Sequence, residues 1–253
     1  MQIIPLSEGA FSVGKTKIFY PFNVGIDNLL QREPGSLLVE IQPFLIITSR
    51  DTLLIDAGLG YQTEEGLQIY QNLSRVGVDP AEITKVLMSH LHKDHSGGVS
   101  RLLAGGSSGR RQLSFPNASY YVQGMELRYA FEKGFPSYIT QDLEALEHND
   151  RVVLLQGDGL IDGYIHYEIS GAHCPYHQVF FIEDEGEKIF FGGDVAPQLQ
   201  QMRTRFIAKY DFDGKKCMEL RKQWWERGER EAWTFLFYHD IKTPVWRFAE
   251  KGS

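Results

Sequence analysis

The sequence predicts an α/β fold in which two sheets form the core and helices cover them. Two observations favour this fold. Apolar runs of strand length, bounded by turn residues, fill residues 36–58 and recur from residue 152 onward. Between these regions, residues 64–78 have the apolar spacing of a helix. With 253 residues, 42% of them hydrophobic, the chain can bury a sizeable core, and we expect a single domain over residues 1–253.

The individual elements follow from the same patterns. Strands are predicted at residues 36–42, 44–58, 85–88, 118–122 and 233–238. The range 44–58 contains a hairpin turn at Ser49-Arg50-Asp51. Helices are predicted at residues 64–78, 124–134, 141–147 and 213–228. Asp79 is a typical N-cap and Pro80 fits a first helical position, so a second helix start is expected there. Residues 104–112 are rich in Gly and Ser and indicate a flexible surface loop, and residues 184–187 indicate a turn.

Composition excludes several classes of function. A net charge of −7 argues against nucleic acid as a partner, because phosphate binding needs a basic surface. The compact pair Arg110-Arg111 is interpreted as part of a solvated loop. No apolar run reaches the ~18–20 residues of a membrane helix, and the start lacks the pattern of a signal peptide. Two cysteines, Cys174 and Cys217, form no disulfide framework, so a cytoplasmic location is expected.

One segment carries most of the chemical information. The run SHLHKDHSGG places His90, His92, Asp94 and His95 within six residues, directly after an apolar strand. His90 and His92 alternate on an extended chain, so their imidazoles can point to the same side and bind one metal ion. Only 8 histidines occur in the chain, so this clustering favours a metal site over a solvated polar loop.

This motif, H-x-H-x-D-H followed by Gly-Gly, resembles the metallo-β-lactamase superfamily, whose members carry five motifs in a fixed order. The other four motifs match the sequence at Asp56, His173, Asp194 and His239. The resemblance implies a four-layer αββα sandwich made of two mixed sheets with outer helices. It also implies two metal sites with these ligands: His90, His92 and His173 for one ion, Asp94, His95 and His239 for the other, and Asp194 as the bridge.

The donor chemistry agrees with that implication. Neutral nitrogen from five histidines and anionic oxygen from Asp94 and Asp194 form the mixed set expected for two divalent ions. Zinc is the ion expected, and iron, manganese and cobalt stay open because such sets discriminate little among them. His173, Asp194 and His239 each lie where an apolar strand gives way to a loop, and strand ends are where α/β scaffolds build their sites.

Two further residues are expected to support the ligands. Asp56 follows a buried strand and could accept a hydrogen bond from a liganding imidazole. His177 matches the second histidine of a family pattern that usually reads H-T-P-G-H, although Tyr176 replaces the glycine here. Cys174 in the same run is interpreted as a small buried apolar residue rather than a ligand.

The expected reaction is hydrolysis of a small ester or lactone by a hydroxide that bridges the two metals. Asp94 is the residue expected to orient this nucleophile and pass a proton to the leaving group, unless it is a ligand alone. Asp194 stands where several β-lactamases of the superfamily carry Cys, which argues against antibiotic hydrolysis. His92 stands where the flavin-linked diiron oxidoreductases carry Glu, which argues against redox chemistry. The finer resemblance is to the N-acyl-homoserine lactonase and organophosphate-hydrolase-like branch.

Several alternatives stay open. They are a metal-dependent oxidoreductase or sulfur dioxygenase on the same scaffold, a phosphotriester or thioester hydrolase, and a metal-binding protein without turnover. Tyr210, between the fourth motif and the last helix, could donate a hydrogen bond to the substrate carbonyl, or its ring could pack under that helix. The partners expected are a small-molecule ester or lactone, with neither nucleic acid nor membrane, and a homodimer is an open alternative.

Overall fold

Two six-stranded mixed sheets form the centre of the part of the chain that the computed structural model describes, residues 1–64, 66–103 and 110–248. The first strands are β1 (Gln2–Pro5), β2 (Gly9–Val13), β3 (Phe19–Pro21), β4 (Leu37–Ile41), β5 (Phe44–Ile47), β6 (Thr52–Ile55), β7 (Gln62–Thr63), β8 (Gly66–Leu67), β9 (Lys85–Leu87) and β10 (Ser100–Leu102). The remaining strands are β11 (Arg111–Leu113), β12 (Ser119–Gln123), β13 (Val152–Leu155), β14 (Gly159–Ile161), β15 (Ile165–Ile169), β16 (Gln178–Asp184), β17 (Glu187–Phe191), β18 (Thr234–Leu236) and β19 (Val245–Arg247).

Six α-helices are present among the described residues. They are α1 (Gln68–Arg75), α2 (Lys93–Ser96), α3 (Gly124–Lys133), α4 (Thr140–Leu143), α5 (Leu199–Met202) and α6 (Gly214–Glu231). Short 3-10 turns lie at Leu29–Gln31, Pro80–Glu82, Glu144–Leu146 and Gly193–Val195. None of the described helices is both long and apolar enough to cross a bilayer.

The two sheets differ in their strand directions. The first has the order β1-β5-β6-β9-β12-β13, in which β1, β5 and β6 pair antiparallel and the strands from β6 to β13 pair parallel. The second has the order β14-β15-β16-β17-β18-β19, in which only the β17–β18 pair is parallel. A three-stranded sheet, β3-β2-β4, lies beside them. Two central sheets with helices packed on their outer faces form the αββα sandwich that the sequence predicts.

Strand alternation explains the layers. On β6, Leu53 and Ile55 belong to the core cluster shared by the two sheets, whereas Leu54 belongs to the cluster that packs with α1 and α3. On β17, Ile189 likewise packs between the sheets, and Phe190 packs outward against α6. Each fully buried side chain of this size contributes roughly 1.5–3 kcal/mol, so both faces of each sheet are stabilised by burial.

Helix α6 covers the outer face of the second sheet. Its N-cap is Asp213, whose carboxylate accepts a hydrogen bond from the backbone N–H of Lys216 at 2.9 Å. Gly228 allows close contact with the sheet, because a Cβ there would lie 2.3 Å from the ring of Phe235. The helix ends at Glu231, and Ala232 caps it in a left-handed conformation.

Several elements differ from the sequence-based expectations. The start at Asp79 is a 3-10 turn with a capping box rather than an α-helix, since it ends at Glu82. Of the expected loop at residues 104–112, residues 104–109 lie outside the described residues. Arg111 is not in a solvated loop: it begins β11, and its guanidinium forms an ion pair with Asp142 at 2.8 Å. The helix predicted at residues 64–78 is shorter, since α1 begins at Gln68 after β8 and ends at Arg75. The structure also has strands that were not predicted: β1 to β3, β7, β8, β10, β11 and β19.

The site lies where the strands of both sheets end. Residue Asp56 follows β6, and the HLHKDH segment follows β9, at the carboxyl ends of two parallel strands. The segments after β17 and β18, also a parallel pair, carry Asp194 and His239. Loops from both sheets therefore converge on a single edge of the sandwich.

Candidate metal centre

The structure brings all seven side chains predicted as ligands together in two groups. The first contains His90, His92, His173 and Asp194, and the second contains Asp94, His95 and His239. Within each group the potential ligand atoms all lie within 4.8 Å of one another. Both groups are mostly buried, as ligand sets that hold an ion away from bulk water would be.

In the first group, three imidazole nitrogens face one another. The Nδ1 atom of His92 lies 3.0 Å from His90 Nε2 and 3.1 Å from His173 Nε2. The Oδ2 atom of Asp194 lies 3.3 Å from the same nitrogen of His173. Three nitrogens and one carboxylate oxygen make up the set that zinc and similar ions prefer.

In the second group, the other oxygen of Asp194 takes part. Its Oδ1 atom lies 3.1 Å from His95 Nε2 and 3.1 Å from His239 Nε2. The Oδ2 atom of Asp94 lies 3.8 Å and 3.6 Å from the same two nitrogens. The carboxylate of Asp194 therefore lies between the two groups, with one oxygen toward each.

Two buried atoms at this place indicate that an ion fits. His95 Nε2 and Asp194 Oδ1 lie 3.1 Å apart, yet among the described residues neither makes a hydrogen bond of acceptable geometry. Buried polar atoms are nearly always satisfied in folded proteins, and these two share one small space with the other donors. A divalent cation would satisfy both atoms at once, so the residues fit the group that the motif predicts.

Three of the imidazoles are oriented by contacts from their other nitrogens. His95 Nδ1 contacts Asp56 Oδ2 at 2.7 Å, and His239 Nδ1 contacts the backbone oxygen of Glu40 at 2.7 Å. His173 Nδ1 contacts Asp211 Oδ1 at 2.8 Å. Such bonds orient a liganding ring and direct the lone pair of the free nitrogen toward the metal.

Asp56 occupies the place that the sequence predicts for it. It is fully buried in a left-handed conformation, and it also accepts hydrogen bonds from the backbone N–H (2.8 Å) and hydroxyl (2.7 Å) of Ser89. Ser89 and His95 lie at the two ends of the metal-binding segment, and Asp56 contacts both. Asp56 therefore links the end of β6 to this segment. Its role as a support of the ligands remains a proposal.

His177 contacts the candidate bridge through the backbone. Its Nε2 atom accepts a hydrogen bond from the N–H of Asp194 at 3.1 Å, and its Nδ1 atom pairs with the hydroxyl of Ser170 at 2.8 Å. Gly193 permits this approach, because a Cβ there would lie 2.5 Å from His177 Nε2. The substitution of Tyr176 for the usual glycine has not removed this contact.

Sterically, the two glycines of the motif leave no room for a side chain. A Cβ on Gly97 would lie 2.2 Å from the backbone oxygen of Leu59, and one on Gly98 would lie 2.1 Å from that of Ala57. The end of the short helix α2 therefore packs directly on the loop that follows β6. This packing places His95, on α2, against Asp56.

The electrostatics keep His90, His92 and Asp194 in the states that a ligand needs, whereas Asp194 and Asp94 raise the pKa of His95 and His239 despite their burial. Burial and the neighbouring imidazoles lower the pKa of His90 and His92 well below the usual histidine range, so both rings are neutral. Burial alone would raise the pKa of Asp194, but His239, His95 and His173 hold it well below the usual range. The carboxylate is therefore ionised.

A cavity of about 700 Å³ opens onto the two groups. Its walls include the apolar side chains of Val13, Phe19, Val39 and Phe206. Tyr210 also lines it: the residue is 46% exposed, and the centre of its ring lies 6.2 Å from that of His173. Burial, Asp194 and Asp211 raise the pKa of Tyr210 above its usual value, so the hydroxyl remains a proton donor.

Some residues around the site were not predicted. Asp211 lies next to Tyr210, yet only the fold shows that it reaches His173 across 38 positions of sequence. Tyr238 stacks on the ring of His95 at 4.0 Å and donates its hydroxyl to the backbone oxygen of Asp94 at 2.6 Å. Its position directly before His239 in the fifth motif is the only sequence signal for it. Cys174 is buried as predicted, and its thiol also points at Glu126, 3.4 Å away.

Comparison with known proteins places the chain in a family. The pattern of the Metallo-beta-lactamase superfamily matches residues 40–239. The N-acyl homoserine lactonase AttM of Azorhizobium caulinodans is 32% identical over 120 residues, 42% of this chain and 38% of that protein. The chain thus matches about two fifths of the length of this relative. An N-acyl homoserine lactonase of Bacillus thuringiensis is 26% identical over 230 residues, 83% of this chain and 85% of that protein.

Solved structures agree in fold. A probable metal-dependent hydrolase from Staphylococcus aureus superposes with a TM-score of 0.79 at 22% identity, covering 100% of this chain and 94% of that one. AidC, described as a dizinc quorum-quenching lactonase, superposes with a TM-score of 0.72 at 16% identity, covering 99% and 92%. The resemblance predicted from the five motifs is confirmed, and the chain belongs to the metallo-β-lactamase superfamily.

Proposed function

We propose that this protein is a metal-dependent hydrolase that opens a small ester or lactone at a dinuclear centre. The observation that carries the proposal is the position of the Asp194 carboxylate, with one oxygen 3.3 Å from His173 and the other 3.1 Å from both His95 and His239. A carboxylate shared by two ligand groups is the arrangement from which two-metal hydrolases are built.

The proposed ligands are the seven side chains of the two groups, and zinc is the proposed metal. The mixture of imidazole and carboxylate donors supports zinc, although it also accepts iron, manganese or cobalt. AidC, which shares the fold, is described as a dizinc lactonase, and the two relatives compared above are named N-acyl homoserine lactonases. These names support a lactone substrate for this chain.

When bound, the two ions supply a nucleophile at neutral pH by lowering the pKa of water toward ~7, and they stabilise negative charge on the substrate. Side chains of the protein are proposed to transfer the proton. Asp94 is fixed by Tyr238, which holds its backbone oxygen at 2.6 Å, and its carboxylate faces both His95 and His239. Asp94 is therefore placed to accept a proton and deliver it to the leaving oxygen.

Tyr210 is proposed to bind the substrate. Its hydroxyl is neutral and its ring stands on the cavity wall beside His173. From there it could donate a hydrogen bond to the substrate carbonyl as negative charge develops. The apolar walls around it would hold the rest of an acyl chain or lactone ring.

Metal content and a substrate panel test the proposal together. Elemental analysis of the purified protein is expected to show close to two transition-metal ions per chain. The reconstituted protein is then assayed with a lactone, an aryl ester, a phosphotriester and a thioester, and the lactone or aryl ester is expected to be cleaved fastest. Failure to take up metal would refute the centre, whereas preference for the phosphotriester or thioester would refute the substrate class.

Two variants test the bridge. Asp194→Ala is expected to weaken binding at both sites, because its two oxygens face different ligand groups. His90→Ala serves as the comparison and is expected to empty the first site alone. Full occupancy of both sites in Asp194→Ala would rule out the bridging role.

A further inference from the structure

Three lysines line the mouth of the cavity that leads to the candidate metal centre. Lys15 and Lys17 lie on the loop between β2 and β3, and Lys93 begins helix α2, directly after His92. Two separate parts of the fold thus bring ammonium groups to a single opening. None of the three belongs to the seven ligands or to the hydrogen bonds that support them.

The loop that carries Lys17 is fixed in place. A backbone bond of 3.0 Å from the N–H of Lys17 to the oxygen of Gly14 closes the turn, and Lys17 itself has a left-handed backbone. Its ammonium donates to the hydroxyl of Ser137 at 2.6 Å, across the cavity mouth. Ser137 in turn accepts the backbone N–H of Lys93 at 2.9 Å. Ser137 therefore joins the side chain of Lys17 to the backbone of Lys93.

Lys17 lies near the first ligand group. Its ammonium contacts Ser137, and the backbone oxygen of Ser137 accepts a hydrogen bond from Lys93, the residue that follows His92. A substrate bound between the metals and the mouth would lie near this ammonium group.

The three ammonium groups lack acidic partners. Within the described ranges, no carboxylate lies within 4.0 Å of the ammonium group of Lys15, Lys17 or Lys93, although the Glu33 side chain lies against Gly14 on the same loop. The chain as a whole is acidic, with a net charge of −7. A positive opening in a negative molecule draws anions to that opening and away from the rest of the surface.

The walls between the lysines and the metal ligands are largely apolar. Phe19 lies between the two lysine-bearing segments, 5.6 Å from the Lys93 ammonium, and Val13, Val39 and Phe206 line the same space. An alkyl segment would bury itself against these side chains, whereas a charged group would be stable only at the mouth. The cavity thus has a reactive end, an apolar middle and a cationic entrance.

We infer that the substrate of this protein carries a carboxylate at the end of its acyl chain remote from the bond to be cleaved, and that Lys15, Lys17 and Lys93 select it. The inference rests on the proposed hydrolase function and adds to it the charge of the substrate. A neutral acyl chain of the same length would fill the apolar middle but leave the lysines without a partner.

The test compares matched substrates that differ only at the far end. Aryl esters of dicarboxylic acids with five to eight carbons are assayed beside the aryl esters of monocarboxylic acids of equal length. At the best length, kcat/KM is expected to be at least tenfold higher for the ester that ends in a carboxylate. The advantage should shrink as salt is raised, because the Debye length is only ~8 Å at 0.15 M. Equal or lower kcat/KM for every carboxylate-ended ester would overturn the inference.

Variants assign the selectivity to the lysines. Lys17→Met and Lys15→Met are each expected to reduce the ratio of the two kcat/KM values at least fivefold. Lys222→Met, on the outer face of α6 with a side chain 75% exposed, is the control and should leave the ratio unchanged. A ratio that stays the same in the double variant Lys15→Met/Lys17→Met would also overturn the inference.

A binding measurement separates this inference from the proposed function. The corresponding anilides resist hydrolysis, so calorimetry can compare the anilide that ends in a carboxylate with the one that ends in a methyl group. Tighter binding of the first by tenfold, lost in the double variant, supports the cationic entrance even if no ester is cleaved. Hydrolysis of both ester series at equal rates, with equal anilide binding, would leave the hydrolase function intact and remove the selectivity.

Discussion

Tyr210 shows how a single hydroxyl can be tested apart from the metal ligands. Its ring lies on the cavity wall, 6.2 Å from that of His173 between ring centres, and it is not one of the seven proposed ligands. Removing the hydroxyl in Tyr210→Phe should lower turnover on the best substrate tenfold or more, about 1.4 kcal/mol of transition-state stabilisation, with the metal content unchanged. Rates measured at equal metal content check this. An unchanged rate would assign the ring to packing alone.

Glu8 offers a test of stability at the same scale. Its Oε2 atom accepts the N–H of Leu59 at 2.8 Å, while its Oε1 atom is buried and has no hydrogen-bond partner among the described residues. Burial raises the pKa of Glu8 from 4.5 to about 7. Between pH 4.5 and about 7, the folded protein therefore keeps a proton on Glu8 that the unfolded chain has released. Protonated Glu8 thus contributes stability that is fully present below pH 4.5 and is lost as the pH rises through about 7.

The variant Glu8→Gln should remove that dependence, because the amide stays neutral and can still accept from Leu59. At pH 8 the free energy of unfolding is expected to exceed that of the parent by on the order of 1–3 kcal/mol, and the difference should narrow at pH 5. Urea unfolding at the two pH values measures it. A difference that is the same at both pH values would show that Glu8 does not titrate in this range.

The residues of the site were largely readable from the sequence because the motif residues carry their own context. His90 to His95 are close in the chain, and the strand-to-loop changes mark His173, Asp194 and His239. Asp211 had no such signal: its contact with His173 spans 38 positions and exists only through the fold. Partners of this kind depend on long-range packing, which local patterns do not encode.

At the scale of elements, the contact between helix α2 and the loop after β6 can be broken selectively. A Cβ on Gly98 would lie 2.1 Å from the backbone oxygen of Ala57, which cannot move without disturbing Asp56 beside it. Gly98→Ala is therefore expected to shift α2, destabilise the protein by ~1–3 kcal/mol and weaken metal binding. Thermal unfolding and metal titration measure the two effects.

Gly124→Ala provides the matched control for that prediction. Gly124 begins α3, and the nearest atoms to a Cβ there lie 3.6 Å away, which is an ordinary contact. Alanine also suits a helix better than glycine, so stability should be unchanged or slightly raised, with metal binding unaffected. Equal effects of the two substitutions would mean that the approach of α2 to the loop is not tight.

Elements with strong local patterns were predicted well, and those without were not. The buried runs of β5 and β6 and the long helix α6 carry clear apolar patterns. The strand β1 is short and only partly buried, and it exists because it pairs with β5 across some forty residues. Its stability comes from that distant partner and not from its own sequence.

At the scale of the whole molecule, the ligands of the proposed centre come from both sheets. His90 to His95 follow β9 of the first sheet, and His173, Asp194 and His239 follow strands of the second. Metal binding should therefore stabilise the folded protein as a unit, by roughly 4 kcal/mol at a free metal concentration 1,000 times Kd. Chelation is expected to lower the thermal midpoint by several degrees, and readdition of zinc to restore it. A midpoint unaffected by chelation of a metal-containing sample would contradict this.

The overall architecture was less accessible to local reasoning than the elements were. Periodicity indicated two sheets and outer helices, whereas the four-layer order came from the resemblance of the motifs to a family. Strand order cannot be read from apolar spacing, because the pairing of β12 with β9 and β13 depends on crossover connections through helices.

The division of the chain between the sheets has a consequence for its unfolding. Every described strand of the first sheet precedes residue 156, and every described strand of the second follows residue 158, so a single covalent passage joins them. Ions shared by ligands from both sheets would act as further cross-links between two halves of the polypeptide, much as disulfides do. Neither half could then open without releasing the ions, so the loss of one half would be coupled to the loss of the other and to the loss of activity.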